Sequence, residues 1–210
     1  MKRTIPIFPL NLVMYPGSIY PLHIFEERYK RMIKSCSAQD TGFGIISKLD
    51  SDIATIGCYV EILEIYNVYD NGNMDILVKG ISKFRTKATE LHQDGYIQAC
   101  VSSYNDARID QNNDYSPLLK RTLKKFRGIL LKTEIELGER FWSKFKESDL
   151  KSYKIAEKSG LSLRQQQNLL SLRSEIDRLQ YLFDHFKMIE EYFEKNKIAK
   201  DIILGDGFIN

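Results

Sequence analysis

The residues whose chemistry could serve catalysis or metal binding are scattered through the sequence, and no motif joins them. The three histidines lie far apart and none belongs to a metal-ligand motif; they are His23, His92 and His185. No glycine is followed by lysine, so the P-loop that cradles phosphates is absent, and Gly42-Phe43-Gly44 lacks the third glycine of a dinucleotide fingerprint. No G-x-S-x-G nucleophile elbow occurs. We therefore expect surface or packed histidines, and a protein that needs neither cofactor nor metal.

Two adjacent carboxylates, Glu26 and Glu27, come nearest to an acid–base pair. Neighbouring positions of a helix point about 100° apart, so these side chains diverge and do not converge on one substrate. A solvated helix face is the simpler interpretation of the pair. The sequence therefore predicts a binding protein and not an enzyme.

The cysteines and the first apolar residues indicate the compartment. Cys36, Cys58 and Cys100 are odd in number and form no C-x-x-C pair, which argues against a disulfide scaffold and a zinc ribbon. Buried free thiols in a reducing compartment are expected instead.

Pro6 and Pro9 interrupt the first apolar run before the core of a signal peptide can form, and no stretch approaches the ~20 apolar residues of a membrane span. These features predict a cytoplasmic protein with no membrane partner.

A run of basic residues is the main charge feature. The formal net charge of +3 over 210 residues is modest, so any charged partner must be recognised locally. Six cations with no acid between them lie at Lys120, Arg121, Lys124, Lys125, Arg127 and Lys132. On a helix they lie away from an apolar stripe made of Leu119, Leu123, Phe126 and Leu130. One interpretation is a solvated polar face, and the other is a surface that contacts phosphates or an acidic peptide.

The predicted secondary structure that must position these residues changes near the middle of the chain, from mainly strands to mainly helices. Up to residue 105 short apolar runs alternate with turns, and the prolines restrict Thr4–Leu10 to an edge or irregular strand. Asp70-Asn71-Gly72-Asn73 suits a tight hairpin turn whose two central residues need positive φ. One amphipathic helix interrupts the strands; its apolar stripe is Phe25, Tyr29, Met32, Ile33 and Cys36.

Helical patterns dominate the rest of the chain. Gly160 fits the C-terminal cap of a short helix, and Ser162 with Gln165 fits a capping box that opens the next one. Ser174 and Asp177 have a looser form of the same box. We predict a β-rich domain over residues 1–105, a linker over 106–115 and a helical bundle over 116–200.

The N-terminal third carries a distinctive set of motifs. It comprises Ile5-Pro6-Ile7-Phe8-Pro9-Leu10, then Tyr15-Pro16-Gly17, then Tyr20-Pro21-Leu22-His23-Ile24-Phe25-Glu26-Glu27-Arg28-Tyr29. This pattern resembles the opening of the Lon protease N-terminal, substrate-binding domain family. Ile56-Gly57-Cys58 and Gly80-Ile81-Ser82-Lys83-Phe84-Arg85 resemble later steps of that family, although Lys83 stands where arginine is usual. In the helical half the resemblance is confined to short patterns near Leu169-Leu170 and Arg178-Leu179.

The resemblance implies an α+β fold, in which a PUA-like β pseudo-barrel with a packed helix is followed by an α-helical bundle. The ATPase and Ser–Lys peptidase modules of full Lon proteases have no counterpart in these 210 residues. The resemblance therefore implies that this chain binds unfolded or partner polypeptide, as an adaptor or substrate-recognition protein.

The resemblance also directs attention to the Pro-rich start of the chain as a peptide-binding surface. Its candidate residues are Phe8, Pro9, Leu10, Tyr15, Pro16, Tyr20, Pro21, Arg28 and Tyr29. Two alternatives stay open, namely that Phe25 and Tyr29 fill the core and that Arg28 pairs internally with Glu26. A second function is RNA or nucleic-acid binding by a PUA-like protein, through Lys120, Arg121, Lys124, Lys125 and Arg127.

Overall fold

The computed structural model describes residues 2–49, 52–107 and 114–205. Its strands are β1 (Lys2–Leu10), β2 (Ile19–Ile24), β3 (Phe43–Leu49), β4 (Asp52–Ile53), β5 (Ile56–Val68), β6 (Met74–Leu91) and β7 (Ile97–Ser103). Its helices are α1 (Glu27–Ala38), α2 (Ser116–Lys132), α3 (Glu139–Glu147), α4 (Lys151–Ala156), α5 (Leu163–Ser171) and α6 (Glu175–Gly205). Contacts divide the chain into a first unit, residues 1–108 and 160–173, and a second unit, residues 109–159 and 174–210.

The sheet of the first unit closes on itself. Its strands follow the order β1-β7-β6-β5-β3-β4, and β1 also pairs with β3, in parallel, from Ile7↔Gly44 to Leu10↔Ser47. The other pairings are antiparallel, and β2 joins the first part of β6 outside this ring. A sheet whose first and last long strands pair is a small barrel, which agrees with the α+β, PUA-like prediction.

Strand β1 is irregularly paired, which agrees with the edge or irregular position predicted from its prolines. It pairs with β7 from Lys2 to Ile7 and with β3 from Ile7 to Leu10, so it changes neighbours at Ile7. Pro6 therefore lies where only β7 is paired, and Pro9 lies where only β3 is paired. Each proline has one side of the backbone without a ladder partner, and a missing N–H on that side costs no hydrogen bond.

The predicted hairpin forms, with a different turn. The amide of Gly72 donates to the Tyr69 carbonyl (2.8 Å) and that of Tyr69 to the Asn73 carbonyl (2.9 Å), which leaves a three-residue loop. Gly72 has φ +77°, whereas Asn71 is not among the residues with positive φ. The expectation of two positive-φ central residues was wrong, because a type I turn followed by one left-handed glycine closes a three-residue loop.

Helix α1 covers the principal core cluster of the barrel. Tyr29, Met32, Ile33 and Cys36 are buried, as the helical spacing predicted. Phe25 was assigned to the same stripe, but it precedes the helix and is 62% exposed. A second core cluster contains Ile7, Ile46, Phe84 and Val101.

Residues 160–173 belong to the first unit, whereas the sequence-based division grouped them with the helical bundle. Helix α5 begins at the predicted capping box of Ser162 and Gln165, and Gly160 has φ +69°. Gln167 donates to the carbonyl of Ile56 in β5 (3.0 Å), and the ammonium of Lys83 in β6 donates to the Leu172 carbonyl (2.6 Å). These buried donors hold the segment against the barrel.

The second unit is built on α2 and α6. Phe126 of α2 stacks on Phe186 of α6 with ring centroids 5.4 Å apart, and the Thr122 hydroxyl lies within reach of the Leu179 carbonyl (3.3 Å). His185 is buried with Nε2 2.9 Å from the Ser159 carbonyl oxygen, which confirms that it is a packed histidine.

Candidate functional site

The first unit has an outer sheet surface where β2, β6 and β5 lie side by side. Strand β6 lies between the other two, pairing with β2 at His23↔Asp75 and with β5 at Asn67↔Asp75. Residues opposite one another in an antiparallel pair project from the same side of the sheet, so these side chains share one surface. Residues at alternate positions are buried in the core; they include Leu22, Ile24, Met74, Ile76 and Val78.

Asp75 is the centre of a hydrogen-bonded cluster on this surface. Its Oδ1 lies 2.6 Å from Nδ1 of His23, and its Oδ2 accepts from the Tyr69 hydroxyl (2.7 Å) and the Asn67 amide (3.4 Å). The hydrogen bond from His23, and then that from Tyr69, hold the pKa of the Asp75 carboxyl below its ordinary value. The carboxylate in turn raises the pKa of the Tyr69 hydroxyl. An ionised carboxylate only accepts, so Nδ1 of His23 carries the proton.

Aromatic rings surround this cluster. The His23 ring stacks on Phe25 with centroids 6.1 Å apart and meets the edge of Tyr69 at 5.8 Å. Phe25 is 62% exposed and Tyr69 is 44% exposed, so both rings present apolar area to solvent. We call the set formed by His23, Phe25, Asn67, Tyr69 and Asp75 the aromatic face.

More apolar area is exposed on the strands that carry the aromatic face. The large apolar side chains concerned are Ile19, Tyr20, Leu63, Tyr66 and Val68. Tyr20 and Val68 are the register partners of the buried Val78 and Met74, so they project from the opposite side of the sheet and do not extend the aromatic face.

Most of the predicted peptide-binding residues lie in the core instead. Phe8, Pro9 and Tyr29 are buried, and the rings of Phe8 and Tyr29 have centroids 4.1 Å apart. Leu10 is half-buried and packs on the same core cluster, and Tyr15 is buried. These five residues shape the barrel, which is the alternative that the sequence left open for Tyr29.

The remaining four predicted residues are accessible to different degrees. Pro16 is half-buried, while Tyr20 and Pro21 are exposed on β2. Arg28 is exposed, donates to the carboxylate of Glu26 (Nη2 to Oε2, 2.6 Å) and lies over the Tyr29 ring at 4.7 Å. The internal Arg28–Glu26 pair is therefore present, and Tyr20 and Pro21 are the predicted residues that lie on the same strand as His23.

Comparison with known proteins places this chain in a family. The sequence model of the ATP-dependent protease La (LON) substrate-binding domain matches residues 4–187. The chain belongs to the Lon substrate-binding domain family. It is 21% identical to a Lon protease of Cytophaga hutchinsonii over 94% of this chain, and 25% identical to Lon protease 2 of Myxococcus xanthus over 56% of it. The aligned regions span 25% and 15% of those proteins, so the chain corresponds to a minor part of each.

Solved structures of Lon substrate-binding domains share the fold. The Lon N-terminal domain protein from Xanthomonas campestris superposes with a TM-score of 0.65 at 24% identity, covering 87% of this chain and 98% of that one. The N-terminal domain of the Mycobacterium avium complex Lon protease gives 0.67 at 16% identity, covering 88% and 98%. At these identities the likeness establishes the fold alone.

Sequence reasoning missed the centre of the aromatic face in this Lon substrate-binding domain. A period-two pattern places Ile19, Pro21, His23 and Phe25 on one side and Tyr20, Leu22 and Ile24 on the other. The sequence shows this alternation, but its prolines favoured the prediction of a loop over that of a strand. Tyr69 and Asp75 flank the predicted hairpin loop. That they face the same side of the sheet can be predicted only when the strand register is known.

The basic run on α2 forms two stripes. Arg121 lies over the Phe183 ring (4.7 Å), Lys125 pairs with Glu190, and Lys132 pairs with Glu194 at 2.9 Å. These three cations contact α6, although Arg121 and Lys132 remain exposed. Lys120, Lys124 and Arg127 repeat at intervals of four and three residues and form the other stripe, which is exposed. Four of the five residues predicted to contact nucleic acid are therefore exposed, namely Lys120, Arg121, Lys124 and Arg127, and Lys125 is half-buried.

Neither a metal-binding group nor a membrane-spanning helix is found among the described residues. Among them, no group of three or more His, Cys, Asp or Glu side chains has the arrangement of a metal site. No described helix combines the length and the apolar character that crossing a membrane requires.

Proposed function

We propose that this Lon substrate-binding domain binds unfolded or extended polypeptide through the aromatic face, as an adaptor or substrate-recognition protein without catalytic activity of its own. Membership in a family of substrate-binding domains of an ATP-dependent protease supports binding of polypeptide. The observation that carries the assignment to this surface is the exposure of Phe25 and Tyr69 beside a carboxylate whose hydrogen bonds are satisfied.

The chemistry of the aromatic face suits a polypeptide ligand of variable sequence. Aromatic rings supply large apolar area with few rotatable bonds, so little conformational entropy is lost on binding. Asp75 orients His23 and Tyr69 from below, which fixes the rings before a ligand arrives. A surface of this kind accepts apolar side chains of many sequences and requires no single residue of the ligand.

The free thiols fit a protein that works in a reducing compartment. Cys36 and Cys58 are buried and Cys100 is partly buried, and none forms a disulfide. We propose the cytoplasm as that compartment, as expected from the sequence.

A direct binding measurement tests the proposal. The probe is reduced, carboxymethylated α-lactalbumin, which stays unfolded, labelled with a fluorophore and titrated with the 210-residue chain while anisotropy is recorded. Phe25→Ser is expected to weaken binding about fivefold or more, since a central exposed aromatic contributes more than 1 kcal/mol at such interfaces. Phe25 is 62% exposed, so the variant should fold normally, as circular dichroism will show.

Leu91→Ser is the matched control for this measurement. Leu91 is 74% exposed near the far end of β6, away from the aromatic face. The control is expected to bind like the unaltered chain. Absence of binding by the unaltered chain, or equal weakening by Phe25→Ser and Leu91→Ser, would rule out the aromatic face as the polypeptide site.

A further inference from the structure

The second unit contains an apolar groove between the end of α2 and α3. It encloses about 640 Å³, within the range of pockets that accept several large side chains. Its apolar lining consists of Leu130, Leu131, Ile135, Leu137, Trp142 and Phe145. We call it the Trp142 groove; it does not involve the aromatic face, and the two surfaces can be tested separately.

The way in which α2 ends creates one wall of the groove. The amide of Ile135 donates to the Leu130 carbonyl (3.0 Å) and that of Glu134 to the Leu131 carbonyl (3.3 Å), which is a Schellman motif. Glu134 supplies the left-handed residue with φ +55°, a position that usually carries glycine. The motif turns the chain back so that Ile135 lies against the last turn of α2.

The groove leaves apolar side chains exposed. Leu131 is 80% exposed and Ile135 is 53% exposed, although both lie next to the well-packed Leu130 and Phe145. Exposed aliphatic residues that continue a buried cluster are typical of a surface that a partner covers.

Cations dominate the charge around these apolar walls. Arg127 and Lys146 line the groove, and the Arg127 guanidinium lies 4.9 Å from the centre of the Trp142 ring. Glu136 is the acid among the lining residues. Along α2 the exposed stripe of Lys120 and Lys124 leads directly to Arg127 and Leu131, at intervals of four, three and four residues. A ligand in the groove therefore meets apolar walls and a row of positive charges.

We propose that the Trp142 groove binds an amphipathic helical segment of a partner polypeptide, rich in leucine-like and acidic residues. Two helices and a turn form a trough of the kind that accepts the apolar face of a third helix. Acidic side chains on the flanks of that helix complement Arg127, Lys124 and Lys120. Nucleic acid fits less well, because apolar side chains form most of the lining, and Lys125 and Lys132 are each paired with a carboxylate of α6.

Trp142 provides the signal that tests this proposal, because it is the chain's one tryptophan and lines the groove. The probe is a tryptophan-free helical peptide of about fourteen residues, or four turns, with leucines on one face and glutamates elsewhere. We expect a saturable blue shift of Trp142 emission with this peptide. A peptide with lysine in place of each glutamate should bind about tenfold more weakly or not at all, since like charges oppose docking.

Two variants locate the site. Leu131→Gln should weaken binding of the acidic peptide about tenfold and Arg127→Gln about threefold, whereas Leu91→Gln in the first unit should leave it unchanged. Leu131 is exposed, so folding should be unaffected, and circular dichroism checks this. The proposal is overturned if the emission does not change saturably, if both peptides bind equally, or if neither groove variant weakens binding. Saturable binding of a matched oligoribonucleotide in place of the acidic peptide would also overturn it and assign the surface to nucleic acid.

Discussion

The Nη2 atom of Arg178 lies 2.9 Å from Oε2 of Glu175, and both side chains are buried in the second unit. The Glu175 carboxylate also accepts from the backbone amide and the hydroxyl of Ser152, each at 2.7 Å. The Arg178 guanidinium donates to the Ser152 hydroxyl (2.9 Å) and lies over the Tyr153 ring at 4.5 Å. The first turn of α6 is thereby tied to the first turn of α4.

We predict that breaking this pair is costly. Glu175→Gln removes a charged partner of a buried guanidinium and should lower the free energy of unfolding of the second unit by about 3–5 kcal/mol. Replacing both residues, by Glu175→Gln with Arg178→Met, should restore part of the loss because no buried charge remains. Urea unfolding followed by Trp142 fluorescence reports on this unit.

The matched control uses the same substitution on the same helix. Glu191 lies 3.8 Å from Lys187, and both side chains are more than half exposed (55% and 61%). Glu191→Gln should change stability by no more than about 1 kcal/mol. A loss at Glu175 as small as the loss at Glu191 would contradict the importance of the buried pair.

A second prediction concerns the pH dependence of the aromatic face. The pKa of Asp75 is lowered in the folded protein, so its ionised form stabilises the fold. That contribution is complete above its ordinary value of 3.8 and is lost as the pH falls through the lowered folded value. The stability difference between the unaltered chain and Asp75→Asn should therefore be present at neutral pH and disappear in strong acid. Thermal unfolding across this range tests it, and a difference that persists unchanged in strong acid would contradict it.

A third prediction concerns the three thiols. Burial raises the pKa of Cys58 to about 12, and burial also raises the pKa of Cys36. Reaction with maleimide requires an accessible thiolate, so Cys100, which is partly buried, should react first and Cys58 last. Mass spectrometry of labelled peptides gives the order, and labelling in guanidinium chloride shows that all three can react. Early labelling of Cys58 in the folded chain would contradict the prediction.

Local sequence patterns correctly predicted the features that depend on a single helix or hairpin. The capping box of Ser162 and Gln165, the buried stripe of α1 and the hairpin before Met74 all depend on residues close in sequence. The family resemblance predicted the barrel, and the sheet order confirms it. These features need no knowledge of distant contacts.

The proposed binding surface could not be predicted in the same way. The motif residues Phe8 and Tyr29 are apolar and aromatic, as a binding site would be, and only their tertiary contact shows that they fill the core. His23 and Asp75 meet across two strands that are separated by some fifty residues, and their register cannot be read from either strand alone. Phe25 lies two positions before the first residue of the helix that its spacing suggested, and it is exposed.

The first unit is assembled from two stretches of sequence, residues 1–108 and 160–173, with part of the second unit inserted between them. The polypeptide passes between the units after residues 108, 159 and 173. A genetic exchange with a single crossover cannot move either unit intact into another protein. Evolution of the barrel and of the helices is therefore linked, because a recombinant that keeps β6 without α5 would leave Lys83 without the Leu172 carbonyl. Chimeras that graft this protein onto a new partner should carry both units together.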